Sequence, residues 1–250
     1  MRKMVDNYQF SIFGKFDYIS EADKERFKKL RETVESNNDT LSVTQQVRFE
    51  LKINNTNEPP VPTQTIINKP FIISADNKFQ ISFFDNRIDV SIKIEQNNDD
   101  LLNDLKNKVI KYITDINNIY NIKLNRISIN FENLYMDFTK DEAMKIQKIF
   151  CNSTLDMYIN AKMNEWQVTL SNQKDVNGFK INVITNAIRG NLVKNNNPAK
   201  FAKDLILIHF DINSVVDNNL EISIDSISEK FDILVDEYFM LVKNLGEKID

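Results

Sequence analysis

The chain has 250 residues, a formal net charge of −4, 42% hydrophobic residues and 27% charged residues. This composition is typical of a globular protein, and the length corresponds to one large domain or two small ones. Proteins that bind nucleic acids through phosphate neutralisation carry a basic surface, so the acidic charge argues against a nucleic-acid partner.

The single cysteine, Cys151, excludes an internal disulfide, a Cys-Cys zinc ribbon and a CxxC redox pair. The first residues lack the apolar core of a secretion signal, and no apolar run approaches the ~20 residues that a membrane-spanning helix needs. We therefore expect a cytoplasmic protein with no membrane span, no metal and no cofactor.

The chain begins with an alternating pattern over 7–14, which predicts a strand. Ser20 then opens a helical pattern, and Ser20 with Asp23 forms a loose capping-box analogue. The apolar face of this predicted helix is formed by Phe27, Leu30 and Val34.

A strand is predicted over 40–54, and the segment 56–64, with three prolines, is predicted to be a loop. Residues 71–95 hold three β-like runs separated by Asp76-Asn77 and Asp85-Asn86, which suit tight turns. We expect a three-stranded antiparallel meander with one apolar and one polar face. The apolar face packs under a helix predicted over 99–119, which leaves the polar face free to bind.

The second half begins with a strand over 121–138, whose change of phase near Asn125-Arg126 predicts a β-bulge. Capping boxes at Thr139/Glu142 and Ser226/Glu229 predict two helix starts, and Gly246 is placed to end the last helix. Further strands are predicted over 154–163, 165–173, 179–189 and 203–213.

Each half therefore reads as strand, helix, four strands and helix. We predict an α+β protein, mainly antiparallel sheet with helices on one face, built from duplicated β-α-β4-α units over 1–120 and 121–250. Joined into one sheet, the halves would have the architecture of the TATA-binding-protein-like saddle, an analogy that carries no function.

His209, the only histidine, is two residues from Asp211 in a predicted strand, so both side chains lie on one face. This pair is a candidate general base, and Cys151 is a candidate nucleophile for a Cys-His pair. A structural histidine is the alternative interpretation, because no nucleophile motif surrounds any of these residues.

Glu50 and Lys52 have the E-x-K spacing of many nucleases, and Asp39 lies upstream, so the three are candidates for a metal-dependent nuclease site. This spacing also arises by chance on the polar face of a strand. Trp166, the only tryptophan, is either a core residue of a strand with Val168 and Leu170 or a binding hot spot. No phosphate-binding loop or dinucleotide fingerprint is present.

Several short motifs resemble those of a sporadically distributed family of uncharacterised bacterial proteins, over roughly residues 70–245. The matching residues are Ile73-Ser74, Gln80, Asp85-Asn86-Arg87, Arg126-Ile127 and Phe231-Asp232. The family has no assigned activity, so the resemblance implies none for this chain. The patchy distribution of the family implies mobile genes, such as defence or toxin–antitoxin-like cassettes.

The sequence favours a non-catalytic cytoplasmic binding or interaction protein, with a protein partner or self-association through sheet edges. The alternatives are a metal-dependent nuclease or hydrolase, and a binder of small ligands or unfolded chains.

Overall fold

The computed structural model of the protein describes residues 2–52, 61–75, 79–93, 99–150, 165–192, 203–216 and 221–249. These residues form nine strands and four α-helices. In chain order they are β1 (Arg2–Gly14), α1 (Lys24–Ser36), β2 (Thr40–Lys52), β3 (Val61–Ile73), β4 (Phe79–Phe83), β5 (Arg87–Lys93), α2 (Asp99–Tyr120), β6 (Leu124–Met136), α3 (Lys140–Phe150), β7 (Trp166–Val176), β8 (Phe179–Leu192), β9 (Lys203–Ser214) and α4 (Ile227–Ile249).

All nine strands belong to one antiparallel sheet, in the order β2-β3-β4-β5-β1-β6-β9-β8-β7. At its centre β1 pairs with β6, from Arg2 opposite Met136 to Gly14 opposite Leu124. Residues 1–120 and 121–250 therefore contribute to the same sheet, and the predicted α+β architecture with a large antiparallel sheet is confirmed.

The core lies on one face of this sheet. Along β1, Tyr8, Phe10 and Ile12 are buried and alternate with residues of the opposite face, as the two-residue period of a strand requires. The ring of Phe10 is 5.2 Å from that of Phe231 in α4. All four helices contribute to this core, through residues that include Leu30, Val34, Val109, Tyr112, Ile113, Ile116, Ala143, Ile146, Phe231, Leu234 and Tyr238.

The predicted meander is formed by β3, β4 and β5, and the helix expected above it is α2. Phe79 of β4 stacks on Tyr112 of α2 at 5.6 Å between ring centroids. The bulge in β6 is also confirmed, because the register shifts by one residue at Asn125, between the Phe13–Arg126 and Gly14–Leu124 pairs. The Thr139/Glu142 box forms as predicted: the Glu142 amide donates to Thr139 Oγ1 at 3.2 Å, and the Thr139 amide donates to Glu142 Oε2 at 2.6 Å.

Two predictions at helix ends are wrong, and the prediction at Ser226 is right for the position of the helix start. Asp23, and not Ser20, precedes α1, and its side chain accepts from the Arg26 amide. α4 begins directly after Ser226 as predicted, but Ser223 caps a 3₁₀ turn over Ile224–Ser226 that leads into it, and the Ser226 hydroxyl donates to the Ser223 carbonyl oxygen at 3.0 Å. Gly246 lies inside α4, which continues to Ile249 because Leu245 is buried in the core.

The proline segment is only partly as predicted. β3 starts at Val61, so 61–64 are strand and the loop prediction is wrong for them. The strand tolerates Pro62 because β3 pairs with β2 along its whole length but with β4 only at Phe71–Ile73. Among the described strands, one side of Pro62 is therefore free of the ladder. The strand predicted over 154–163 lies outside the described residues. No helix among the described residues is long and apolar enough to cross a membrane.

Candidate binding surface

The face opposite the helices carries a polar cavity of about 570 Å³ over the central strands. We call it the polar cup. Its lining comes from β1, β4, β5, β6 and β9, and therefore from both halves of the chain. The lining residues are Asn7, Gln9, Ser11, Phe13, Gln80, Arg87, Ser91, Arg126, Ser128, Asn130, Glu132, His209 and Asp211.

A chain of hydrogen bonds holds the floor of the cup. Gln9 Nε2 donates to Ser11 Oγ at 3.0 Å, and Ser11 Oγ donates to Asp89 Oδ1 at 2.7 Å. Arg87 Nε donates to the other oxygen of Asp89 at 2.9 Å. The buried carboxylate of Asp89 is thus paired with one cation and one hydroxyl, which offsets the cost of burying its charge.

A row of amide side chains extends from the cup to the edge strand β7. Gln173 Nε2 donates to Asn182 Oδ1 at 3.3 Å, and Asn182 Nδ2 donates to Asn213 Oδ1 at 3.2 Å. Asn213 Nδ2 then donates to Asp211 Oδ1 at 3.0 Å. Because Asn182 and Asn213 each accept one of these hydrogen bonds and donate the next, the row fixes the orientation of the Asp211 carboxylate at its end.

The charges of the cup are separated along the strands. Arg87 and Arg126 flank Phe13 at one end, on the neighbouring strands β5 and β6. Glu132 lies at the other end, opposite His209 in the β6–β9 pair. Glu132 is six residues from Arg126 on one strand, or about 20 Å at ~3.3 Å per residue. The cup therefore has a basic end and an acidic end.

The structure places His209 and Asp211 together on the polar face, as the sequence predicts. The Asp211 carboxylate accepts a hydrogen bond from Asn213. Among the described residues, His209 makes no side-chain hydrogen bond. Ser11 directs its hydroxyl to Asp89. The geometry therefore gives His209 no oriented nucleophile within the described residues. Cys151 lies outside the described residues.

Asp39, Glu50 and Lys52 are not assembled into one site. Asp39 directly precedes β2, and this strand is continuous through Glu50 to Lys52. At ~3.3 Å per residue, Asp39 and Glu50 are on the order of 36 Å apart, too far to share a metal ion. The side chains of Glu50 and Lys52 lie outside the described part of the chain.

Asp39 has a structural role between β2 and α2. It is buried, accepts a hydrogen bond from the Tyr112 hydroxyl and lies 3.4 Å from Lys108 Nζ. Burial, followed by the hydrogen bond to Asp39, raises the pKa of Tyr112 far above its ordinary value. The Tyr112 hydroxyl therefore stays protonated as the donor of this hydrogen bond, which fixes α2 against the sheet.

Trp166 belongs to the core on the helix-covered face. It is 9% exposed, whereas Leu170, predicted to share its inward face, is 46% exposed. Trp166 Nε1 is buried and has no acceptor among the described residues. This position fits a core residue at the start of β7 better than an exposed hot spot.

Most residues of the cup were not identified from the sequence. The signal was present as polar residues at alternate positions of each strand, but the sequence does not give the register that aligns Gln9 with Asn130 and Asn130 with Asp211. Among the described residues, no group of three His, Cys, Asp or Glu side chains is arranged to hold a metal ion. Compared with known proteins, the chain matches no family model and no curated protein sequence.

Proposed function

We propose that this chain is a non-catalytic binding protein and that the polar cup is its recognition surface for a protein partner. One observation carries the proposal. The described helices all pack on one face of the sheet, whereas the other face presents a cavity lined by hydrogen-bonding side chains. Such a surface gains binding energy and specificity from polar groups that leave water for matched partners.

The charge of the cup supports a polypeptide over a nucleic acid. Arg87 and Arg126 are its arginines, and the carboxylates of Glu132 and Asp211 line the same cavity. Asp89 adds a third carboxylate at the floor. A phosphate backbone would meet these carboxylates, while a polypeptide offers the neutral donors and acceptors that match Gln9, Asn130 and their neighbours.

A sheet edge gives the same partner, or a second copy of the chain, another contact. β2 pairs over thirteen residues with β3, and among the described strands it has no neighbour on its other side. An unpaired strand of this length is a template for an added strand.

A small polar ligand is the second candidate. The cup volume of about 570 Å³ lies within the range of ligand pockets, roughly 300–1,000 Å³. A ligand that co-purifies in the cup and raises the melting temperature would favour this function over protein binding.

The cellular context that the family resemblance implies is also part of the proposal. We place the protein in the bacterial cytoplasm, as a component of a defence or toxin–antitoxin-like system. Identification of the bound polypeptide tests this, because a toxin or defence effector is expected and a housekeeping enzyme would contradict it.

We further propose that the chain arose by duplication of a β-α-β4-α unit and has a TATA-binding-protein-like saddle architecture. Two observations support it. β1 and β6, the first strands of the two halves, are adjacent and antiparallel, and each is followed by a helix. The strands then continue outward as β5-β4-β3 on one side and β9-β8-β7 on the other. In a crystal structure, superposition of the halves should require a rotation close to 180°; any other rotation would refute the duplication.

Native mass spectrometry of the protein purified from its own cells tests the binding function. The wild type and an Asn118→Lys control on the exposed side of α2 should retain a stoichiometric polypeptide. Asn130→Lys, the same change inside the cup, should lose it while keeping the wild-type melting temperature. Equal retention by both variants would exclude the cup as the recognition surface.

A further inference from the structure

Arg126 is held in the cup without a hydrogen-bond acceptor or a carboxylate partner among the described residues. Its guanidinium carbon lies 4.8 Å from the centroid of the Phe13 ring. Its Nε is buried and has no hydrogen-bond acceptor, and among the described residues the side chain makes no ion pair. A buried N–H of a cation that lacks an acceptor is rare in native proteins and calls for an explanation.

Arg87, at the same end of the cup, shows the contrast. Its guanidinium lies 4.7 Å from the Phe84 ring centroid, and its Nε donates to Asp89 at 2.9 Å. Both arginines are therefore placed against aromatic rings, but the charge of Arg87 is matched by an internal carboxylate. The charge of Arg126 is available for a ligand.

The backbone fixes the direction of Arg126. The bulge at Asn125 directly precedes it, and Arg126 is the first residue of β6 back in register, opposite Phe13. A bulge of this kind re-aims the neighbouring side chain, and the Phe13 ring restricts the guanidinium plane. The fork of N–H donors is thus oriented before any ligand binds, and such a fork matches a carboxylate in a bidentate manner.

We propose that Arg126 is the carboxylate anchor of the polar cup, and that it binds a carboxylate of the polypeptide partner. This inference rests on the proposed function. Among the described residues, Arg126 has the one guanidinium of the cup without a carboxylate partner, and a monoanion matches it. A dianionic phosphate would leave excess negative charge beside Asp89. The carboxylate has two sources, a chain terminus or an Asp or Glu side chain.

NMR of the Arg126 side-chain Nε–H group tests the anchor with defined probes. N-acetylglycine represents a terminal carboxylate, and N-acetylaspartate amide represents a side-chain carboxylate. At least one probe should shift this resonance and the backbone amides of Phe13 and Ser128, with a Kd in the millimolar range, and the tighter probe identifies the source. N-acetylglycinamide, which lacks the carboxylate, should leave the spectrum unchanged.

Matched variants separate the anchor from a general effect of charge. Arg126→Gln should weaken binding of the tighter probe at least tenfold, and Arg126→Lys, which keeps the charge without the fork, should be intermediate. Arg31→Gln removes an arginine that also lies over an aromatic ring, Phe27, but outside the cup, and should bind like the wild type. Melting curves establish that each variant is folded.

The outcomes distinguish the anchor from the proposed function. Equal probe binding by Arg126→Gln, tighter binding of inorganic phosphate than of either carboxylate, or no shift at Arg126 would overturn the anchor. In each of these cases, loss of the polypeptide from Asn130→Lys would still support the protein-binding cup. Probe binding at Arg126 together with no polypeptide in native spectra would instead retain a carboxylate site and refute the protein partner.

Discussion

At the scale of single residues, Gly14 marks a close approach of two backbones. It ends β1 beside the bulge of β6, where an added Cβ would lie 2.2 Å from the Lys123 carbonyl oxygen. A real Cβ cannot occupy that position, so the end of β1 would have to move away from β6. The same movement would displace Phe13 from Arg126.

We predict that Gly14→Ala lowers the free energy of unfolding by about 2 kcal/mol or more, as overpacking against a backbone atom does. Gly190→Ala is the matched control, because a Cβ at Gly190 meets no atom within 4 Å. Urea unfolding of the two variants measures the difference. A loss below about 0.5 kcal/mol for Gly14→Ala, the range of neutral surface changes, would contradict the close approach.

Buried tyrosines make stability depend on alkaline pH. Burial raises the pKa of Tyr135 to about 12 and also raises the pKa values of Tyr112, Tyr120 and Tyr238. Above the ordinary pKa of about 10, the unfolded chain loses protons that the folded chain retains. The contribution of these tyrosines to the free energy of unfolding is therefore fully present below pH 10, and it is lost as the pH rises toward 12.

We predict that Tyr135→Phe reduces this fall by up to about 1.4 kcal/mol per pH unit, the contribution of one titrating group. Denaturant unfolding at pH 8, 10, 11 and 12 provides the measurement. Wild-type and variant stabilities that decline with the same slope would show that Tyr135 ionises normally.

At the scale of the elements, α1 begins directly after the residue whose side chain can reach a free amide. Asp23 Oδ1 accepts from the Arg26 amide at 3.1 Å. We predict that Asp23→Ala costs about 1 kcal/mol of stability, the usual value of an N-cap. Ser20→Ala should cost only a few tenths of a kcal/mol. A larger loss for Ser20→Ala than for Asp23→Ala in thermal unfolding would show that Ser20 is the N-cap, as the sequence suggests.

Features that are specified by residues close together in the sequence were predictable. The bulge at Asn125 and the box at Thr139 follow from spacings of a few residues. The prediction that Gly246 ends α4 failed because burial of Leu245 outweighs the small cost of glycine in a helix. The loop prediction failed at Pro62 because only the short pairing of β3 with β4 shows that, among the described strands, one side of β3 is unpaired there.

The cup was predictable only in part. The polar face of the meander and the shared face of His209 and Asp211 follow from strand alternation. The opposition of Glu132 to His209, and the juxtaposition of Phe13 with Arg126, come from pairing between strands far apart in sequence. No local pattern specifies that register.

At the scale of the whole molecule, one core joins both halves of the chain. Leu30, in α1, is fully buried in the same cluster as Trp166 in β7. We predict that Leu30→Ala lowers stability by about 2–5 kcal/mol. The transition followed by Trp166 fluorescence should shift together with the far-UV circular dichroism transition, and an unshifted fluorescence transition would show that the halves unfold separately.

The order of the strands also limits how copies of this chain can assemble. Among the described residues, the sheet ends at β2 on one side and at β7 on the other. Two copies joined through the same edge would form a closed, two-fold symmetric pair. Copies joined β2 to β7 would leave a free edge at each end of every assembly, so growth would continue into a fibre rather than stop at a defined size.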